Sequence, residues 1–531
     1  MAMSRELEYY SRLVARGRLS RREFLGRAAA LGVTATLANT MLVDAVRAAG
    51  PVRGGLLKAG LVGGESTNSL DPASFLTQVM FTFGKSWGEY LLTINPDGSL
   101  RRCIAEDYGA SEDAKIWTFK IRQGVEFHNG KTVTAEDVVA TLERHSNEES
   151  KSGALGIMRG IEKLEASGNE VIVTLKEPNA DLPYLMTDYH LIIQPNGGKD
   201  NPAEGVSAGP YKVVVDEPGV RHVGERFANY WDADTLGFAD QVEVIVINDA
   251  TARTAALQGG QVHMINRVEP KIIEMVQRIA GVRIENAAGP GHYVFIMHCN
   301  TAPFDNNDLR MALKLAMNRE EMVEKILRGY GTAGNDFPIN ASYPLFPDDI
   351  EQRVYDPEQA AFHYKKSGHD GSILLRTSEV AFPGAVDAAQ LYQQSCAAAG
   401  IAIEIKREPG DGYWTEVWNK QPFSTSYWGG RPTQDQMYST AYLSTADWND
   451  TRFFNEKFDQ LVLAARAELD ETRRKQMYRD MAVMVRDEGG LILPMFNDVI
   501  DAVSEKVGGY VTGKTHELSD GFALAKCWLN A

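Results

Sequence analysis

Val125-Glu126-Phe127-His128-Asn129-Gly130, followed by Thr134-Ala135-Glu136-Asp137-Val138, is the stretch on which the fold turns. Asn129-Gly130 is a turn pair, because both residues tolerate the backbone that tight hairpin loops need. Upstream, Trp117-Thr118-Phe119-Lys120-Ile121-Arg122 alternates apolar and polar side chains as a half-buried strand does. Downstream, Thr134 offers a hydroxyl at a helix start and Asp137 an acid three residues later, a variant capping box, with Val138, Val139 and Leu142 carrying the helix on. Strand, turn and capped helix in close succession imply a mixed α/β chain.

The same grammar extends outward. Gly54–Val62 reads as a strand and Asn68-Ser69-Leu70-Asp71-Pro72 as an ordered loop behind it, and strands return at Val171–Leu175, Tyr211–Val215 and Val242–Ile247. After Tyr293–His298 the texture becomes helical, with Leu309, Leu313, Ala316 and Met317 at helical spacing behind Asn307 and Asp308. A domain boundary is therefore expected near Cys299. A long helical stretch is expected from Asn455 to Asp487, with Tyr478, Met481, Ala482 and Val485 on one face and Gly489-Gly490 as its stop. Leu491-Ile492-Leu493 then begins a strand leading back to the first lobe. The expected organisation is a first lobe over 49–298 with an inserted subdomain at about 95–204, a second lobe over 299–496, and a return to the first lobe over 497–531.

Residues 1–48 form a separate unit. Ser20-Arg21-Arg22-Glu23-Phe24-Leu25-Gly26 resembles a bacterial twin-arginine export signal, and an apolar run from Ala28 to Val43 leads to Val46-Arg47-Ala48, a plausible cleavage site. The run is short of the roughly 20 residues that span a bilayer, so it reads as a leader rather than an anchor. No cysteine stands at the cleavage site to take a lipid, and the expected location is the periplasm. Setting aside the leader's eight Lys/Arg and four Asp/Glu from the chain's 55 and 71 leaves a net charge of −20. Such a field disfavours nucleic acid and anionic membranes, and any anionic ligand would need a local arginine. Cys103, Cys299, Cys396 and Cys527 are widely spaced without a Cys-x-x-Cys, so no zinc site or disulfide framework is indicated, and pairing is not readable.

Several segments together resemble the extracytoplasmic solute-binding proteins of the dipeptide, oligopeptide and nickel class, family 5 of the proteins that serve ATP-driven (ABC) importers. They are Ser69-Leu70-Asp71-Pro72, the 125–138 stretch, Gly209-Pro210-Tyr211, and Pro303-Phe304 leading into Leu309-Arg310-Met311-Ala312-Leu313. The resemblance covers nearly the whole mature chain. It implies an α/β periplasmic-binding-protein fold of two lobes with an extra subdomain in the first, joined by two hinge crossings, which we place near His298–Thr301 and Met495–Val499. It also implies a ligand enclosed by lobe closure, a membrane permease as partner, and no cofactor, with the chain acting as a monomer.

Other motifs have plainer readings. Gly205-Val206-Ser207-Ala208-Gly209 spells the nucleophile elbow of a serine hydrolase, but Pro210 and a strand follow where the elbow needs a helix. Gly124–Thr132 has five residues between its glycines where a phosphate loop has four, and is a hairpin turn. His292 and His298 are read as structural, and no metal site is assigned, although a nickel, metal-chelate or haem carrier of the same fold is the alternative within the class. A secreted hydrolase is the alternative outside it.

The loop around Tyr427-Trp428-Gly429-Gly430-Arg431-Pro432 differs in kind, because glycines beside an indole and a guanidinium suit a backbone that approaches a ligand closely. Trp414 and Trp418, four apart, are read instead as core anchors on a helix. In peptide-binding members of the resembling family this loop carries an aspartate that pairs with the peptide's ammonium, and here Trp428 stands at that position. That argues against free-amino peptides, while Arg431 suits a carboxylate or phosphate-like group. The expected ligand-binding residues are Trp428, Arg431, Gly429, Gly430, Tyr427, Trp87 and Asn68, and the expected ligand is peptide-like or a small carboxylate-bearing solute.

Overall fold

The computed structural model describes Tyr10, residues 21–30 and residues 50–530, apart from 97, 148, 149, 151 and 469. Arg21–Ala30 is a helix. The expected cleavage site at 46–48 lies outside the described residues.

The 125–138 stretch belongs to one compact unit. Trp117, Phe119 and Ile121 alternate inward along the strand Ile116–Ile121, which pairs antiparallel with Ala105–Ala110 and Glu170–Leu175. Ile161–Ser167 completes a four-stranded sheet. Asn129-Gly130 closes a hairpin in which Phe127 N donates to Lys131 O at 2.8 Å. The helix Ala135–Ser146 starts on a complete capping box, with Asp137 N donating to Thr134 Oγ1 at 3.3 Å and Thr134 N donating back to Asp137 Oδ2 at 3.0 Å. Val138 and Leu142 from that helix share a core with Phe119 and Val173 from the sheet.

The rest of the chain is organised on one large sheet that runs through both lobes. In the first lobe Leu56–Leu61 pairs in parallel with Gln241–Val246 and Met264–Ile265, and Arg221–Arg226 and Tyr211–Glu217 extend the edge antiparallel. In the second lobe Phe423–Trp428 neighbours the parallel pair Ile373–Thr377 and Ile403–Arg407. Two long antiparallel strands, Val282–Met297 and Leu491–Ser504, join the halves. Their side chains sort by the period of two: Val294 and Ile296 enter one second-lobe core, Phe295 and Met297 the other.

The crossing is visible in the pairing. Residues 282–288 pair with 498–504, beside Met264–Ile265, whereas 292–297 pair with both 491–496 and Phe423–Trp428. The ladder slips between Ala288 and His292, at Gly289-Pro290-Gly291, where Pro290 has no N–H to donate. The first crossing therefore lies about ten residues before the His298–Thr301 expected, and the second at Phe496–Asp498. The change of texture at Cys299 marks where second-lobe helices begin, not where the chain enters that lobe. The helical stretch expected from Asn455 to Asp487 is two helices, Glu456–Ala467 and Glu471–Glu488, because Asp470 accepts from Arg473 N at 2.9 Å and starts the second. Tyr478, Met481, Ala482 and Val485 form its buried face.

Candidate functional site

A cavity of about 180 Å³ lies between the lobes. Phe81, Lys85 and Asp188 line it from the first lobe, Tyr343 and Arg431 from the second, and the segment 514–516 closes one side. Pro290, at the first crossing, also reaches it, so the site sits against the hinge.

Each wall follows from local chemistry. The helix Gln78–Trp87 is buried at every position except Lys85, which faces the cavity. Its ammonium donates to Asp520 O at 3.1 Å and sits 4.6 Å from the Phe81 ring centroid and 4.3 Å from that of Phe522. Burial draws the Lys85 pKa down to about 8, with Asp520 opposing. On the other lobe the strand Phe423–Trp428 ends in Gly429-Gly430-Arg431-Pro432, and Thr433 caps the next helix, Gln434–Ala441. Gly430 must be glycine, since a Cβ there would overlap the Pro290 ring. Arg431 N donates to Tyr343 Oη at 3.2 Å. The Arg431 guanidinium reaches only the carbonyls of Gly429 and Gly430, each at 3.3 Å, and among the described residues no carboxylate pairs with it.

The third wall is strained. Leu518, Ser519 and Asp520 have φ of 52°, 58° and 55°, and Gly521 follows at 81°. Left-handed backbone disfavours side chains by roughly 1–2 kcal/mol per residue and persists only where the surroundings over-determine it. Here Asp520 Oδ1 accepts from the backbone N–H of Thr515 and His516, both at 2.9 Å. Asp501 accepts from Leu518 N at 2.8 Å and Glu517 from Arg267 Nε at 2.7 Å. This turn presents His516, whose ring centroid lies 4.6 Å from that of Phe81. Burial, then Lys85 and Arg431, push the His516 pKa down to about 4, so the ring is neutral at pH 7. Asp188 is held down to about 2 despite its burial, by His190 and more weakly by Arg431.

Of the residues singled out in the sequence, Gly430 and Arg431 line the cavity and Gly429 sits next to His516. Trp428 is placed behind them: its indole lies in a second-lobe aromatic cluster, 6.3 Å from Trp418 and 6.0 Å from Trp448, and donates to Asp450 Oδ2 at 3.1 Å. It backs Arg431, whose guanidinium carbon is 6.0 Å from the ring centroid. Tyr427 faces Arg267 and Trp414. Trp87 is buried in the first-lobe core, and Asn68 fixes its own loop by accepting from Glu65 N at 2.8 Å. None of these four lines the cavity. Aromatic residues beside glycine signal a ligand wall and a packed strand end equally well, and only burial separates the two. Lys85 is not among the residues the sequence singles out, although it is the only charged side chain of the run Val79–Trp87.

The family segments meet each other. His128 N donates to Ser207 O at 2.8 Å and its Nε2 contacts Gly209 O at 2.9 Å, clasping the 205–211 segment to the hairpin. Ser207 is fully buried, and its hydroxyl donates to Ile193 O at 2.6 Å and accepts from Glu89 N. Asp71 of the Ser69–Pro72 segment pairs with Arg144 at 2.5 Å. All four cysteines are free thiols. Among the described residues no three His, Cys, Asp or Glu side chains converge as a metal would require, and no helix is long and apolar enough to cross a membrane.

Residues 100–450 match the model of the bacterial extracellular solute-binding proteins, family 5. The chain belongs to this family, whose members act outside the cytoplasm. The glutathione-binding protein GsiB of Pectobacterium atrosepticum is 25% identical over 476 residues, covering 84% of this chain and 90% of the relative. The periplasmic binding protein DppA of Helicobacter pylori, solved with the peptide STSA, superposes with a TM-score of 0.81 at 19% identity, over 90% of this chain and 99% of that one. The binding protein AgaA of Agrobacterium tumefaciens R10, solved with agropinic acid, gives 0.81 at 22% identity with the same coverage. The fold is thus the two-lobed one expected.

Proposed function

We propose that this protein captures a carboxylate-bearing solute, peptide-like or a conjugated amino acid, and delivers it to the membrane permease of an ATP-driven importer. It works in the periplasm after twin-arginine export, and it binds by closing its lobes without transforming its ligand. The observation that carries the reading is Arg431: a guanidinium without a carboxylate partner among the described residues, facing a cavity between lobes in a chain of strongly negative charge. A forked cation sheltered from water suits a carboxylate, and charge-assisted contacts there outweigh long-range repulsion. Relatives named for glutathione and for agropinic acid agree with an acidic solute.

Mass spectrometry of small molecules released from freshly purified, denatured protein should yield an acid. Titration calorimetry with that solute should then show Arg431→Ala weakening binding about 30-fold or more, as loss of a buried charge-assisted contact does. A loss under threefold would put Arg431 at the rim. Absence of catalysis is supported by the enclosure of Ser207, whose hydroxyl is engaged by backbone on both sides. A fluorophosphonate probe should leave Ser207 unlabelled; a covalent adduct there would favour the hydrolase.

A further inference from the structure

We propose that the ligand carries two anionic groups, one seated on Arg431 of the second lobe and the other on Lys85 of the first, so that its own charges tie the lobes together. The inference rests on the reading of the interlobe cavity as the ligand site and names the substrate class of that site. Lys85 and Arg431 line the same cavity from opposite lobes. Neither is neutralised: Arg431 reaches only backbone carbonyls, and Lys85 has one carbonyl, Asp520 O, with two aromatic faces around it.

The acids that face them are committed elsewhere. Asp188 Oδ1 takes the N–H of His190 at 3.0 Å and its Nδ1 at 2.6 Å. Asp520 Oδ1 takes the backbone N–H of Thr515 and of His516 and the Thr515 hydroxyl, at 2.9, 2.9 and 2.7 Å. Glu517 is held by Arg267. Lys514 and Lys526 add positive charge nearby, the first on the cavity wall and the second over the Phe522 ring. His516 is held neutral by burial first and then by the fields of Lys85 and Arg431. A half-buried ammonium and a guanidinium that no carboxylate of the described residues hydrogen-bonds are each completed by an oxyanion from outside. A dianion satisfies both, and its differential contact with the two lobes is what closure requires.

The test uses matched probes that differ by one charge: glutathione and its glycine carboxamide, N-acetylglutamate and N-acetylglutamine, pimelate and its monoamide. Each is titrated calorimetrically into the full mature protein and into Lys85→Gln and Lys85→Arg. At least one diacid should bind the parent about 30-fold or more tightly than its monoamide. That ratio should collapse to within about threefold in Lys85→Gln and survive in Lys85→Arg; being internal to each variant, it is not moved by a general loss of stability. A monoamide that binds as well as its diacid, or a ratio that persists in Lys85→Gln, overturns the two-anion assignment and leaves the cavity as the site. Failure of all six probes to bind the parent overturns the cavity reading itself, and this inference with it.

Discussion

Asp450 shows how one residue converts packing into pH dependence. Its Oδ2 accepts the indole N–H of Trp418 at 2.9 Å and of Trp428 at 3.1 Å, so it anchors the cluster behind the 429–432 loop. Burial pushes its pKa up to about 7, against the pull of both indoles. The folded protein thus keeps a proton that the unfolded chain releases near pH 4. This stabilisation is present at low pH and is lost as pH rises from about 4 through 7. Asp450→Asn keeps the acceptor oxygen and cannot ionise. Its stability relative to the parent should improve between pH 5 and pH 8, by at most about 3 kcal/mol, since the effect grows at roughly 1.4 kcal/mol per pH unit only up to the folded pKa. An offset that does not change across that range would mean that Asp450 titrates normally.

At the scale of elements, the lobes touch through charges as well as through the crossing strands. Arg474 on the helix Glu471–Glu488 pairs with Asp181, just before the short helix Leu182–Leu185 of the inserted unit, and also donates to Tyr478 Oη at 3.1 Å. Both side chains of the pair are more than four-fifths buried. Arg159 bridges the same two bodies, donating to Thr445 O at 3.2 Å and pairing with Asp447 at 3.4 Å. Breaking a buried pair leaves an uncompensated charge at a cost of about 3–5 kcal/mol, which opening the lobes relieves by restoring water to Arg474. Asp181→Ala should therefore show a larger radius of gyration in solution scattering than the parent, both without ligand. Equal radii would show that the contact follows closure without favouring it.

For the whole molecule, two lobes on one continuous sheet make the hinge a short backbone segment rather than a flexible linker. Gly289-Pro290-Gly291 interrupts the ladder where the cavity abuts it, and a Cβ on Gly289 would run into the Lys514 carbonyl, so hinge and cavity wall are in direct contact. Rotation there moves both walls at once. The proposed export belongs to this scale too, since a twin-arginine route would be read by a receptor at the pair Arg21-Arg22. Replacing both with Lys should strand the precursor in the cytoplasm, measured by fractionation; normal periplasmic yield from the double variant would refute the route.

Local pattern determined much of this protein by itself. The capping box at Thr134 and Asp137, the turn at Asn129-Gly130, the alternation over Trp117–Arg122 and the buried face of Tyr478 to Val485 are each decided by neighbours within a few residues, and such terms are legible in a string. The place of Arg431 on the cavity wall was legible in part for the same reason, because a guanidinium directly after two glycines suits a loop at a cavity. The lobe boundary was not, since texture follows element type and one strand serves both lobes. The roles of Trp428 and Lys85 were decided only by tertiary structure. Whether an indole meets ligand or core, and whether a lysine keeps or lacks an acid, depends on segments outside the local window, Asp450 at 22 residues from Trp428 and Asp520 at 435 from Lys85, brought together by a sheet whose neighbours in space are not neighbours in the chain.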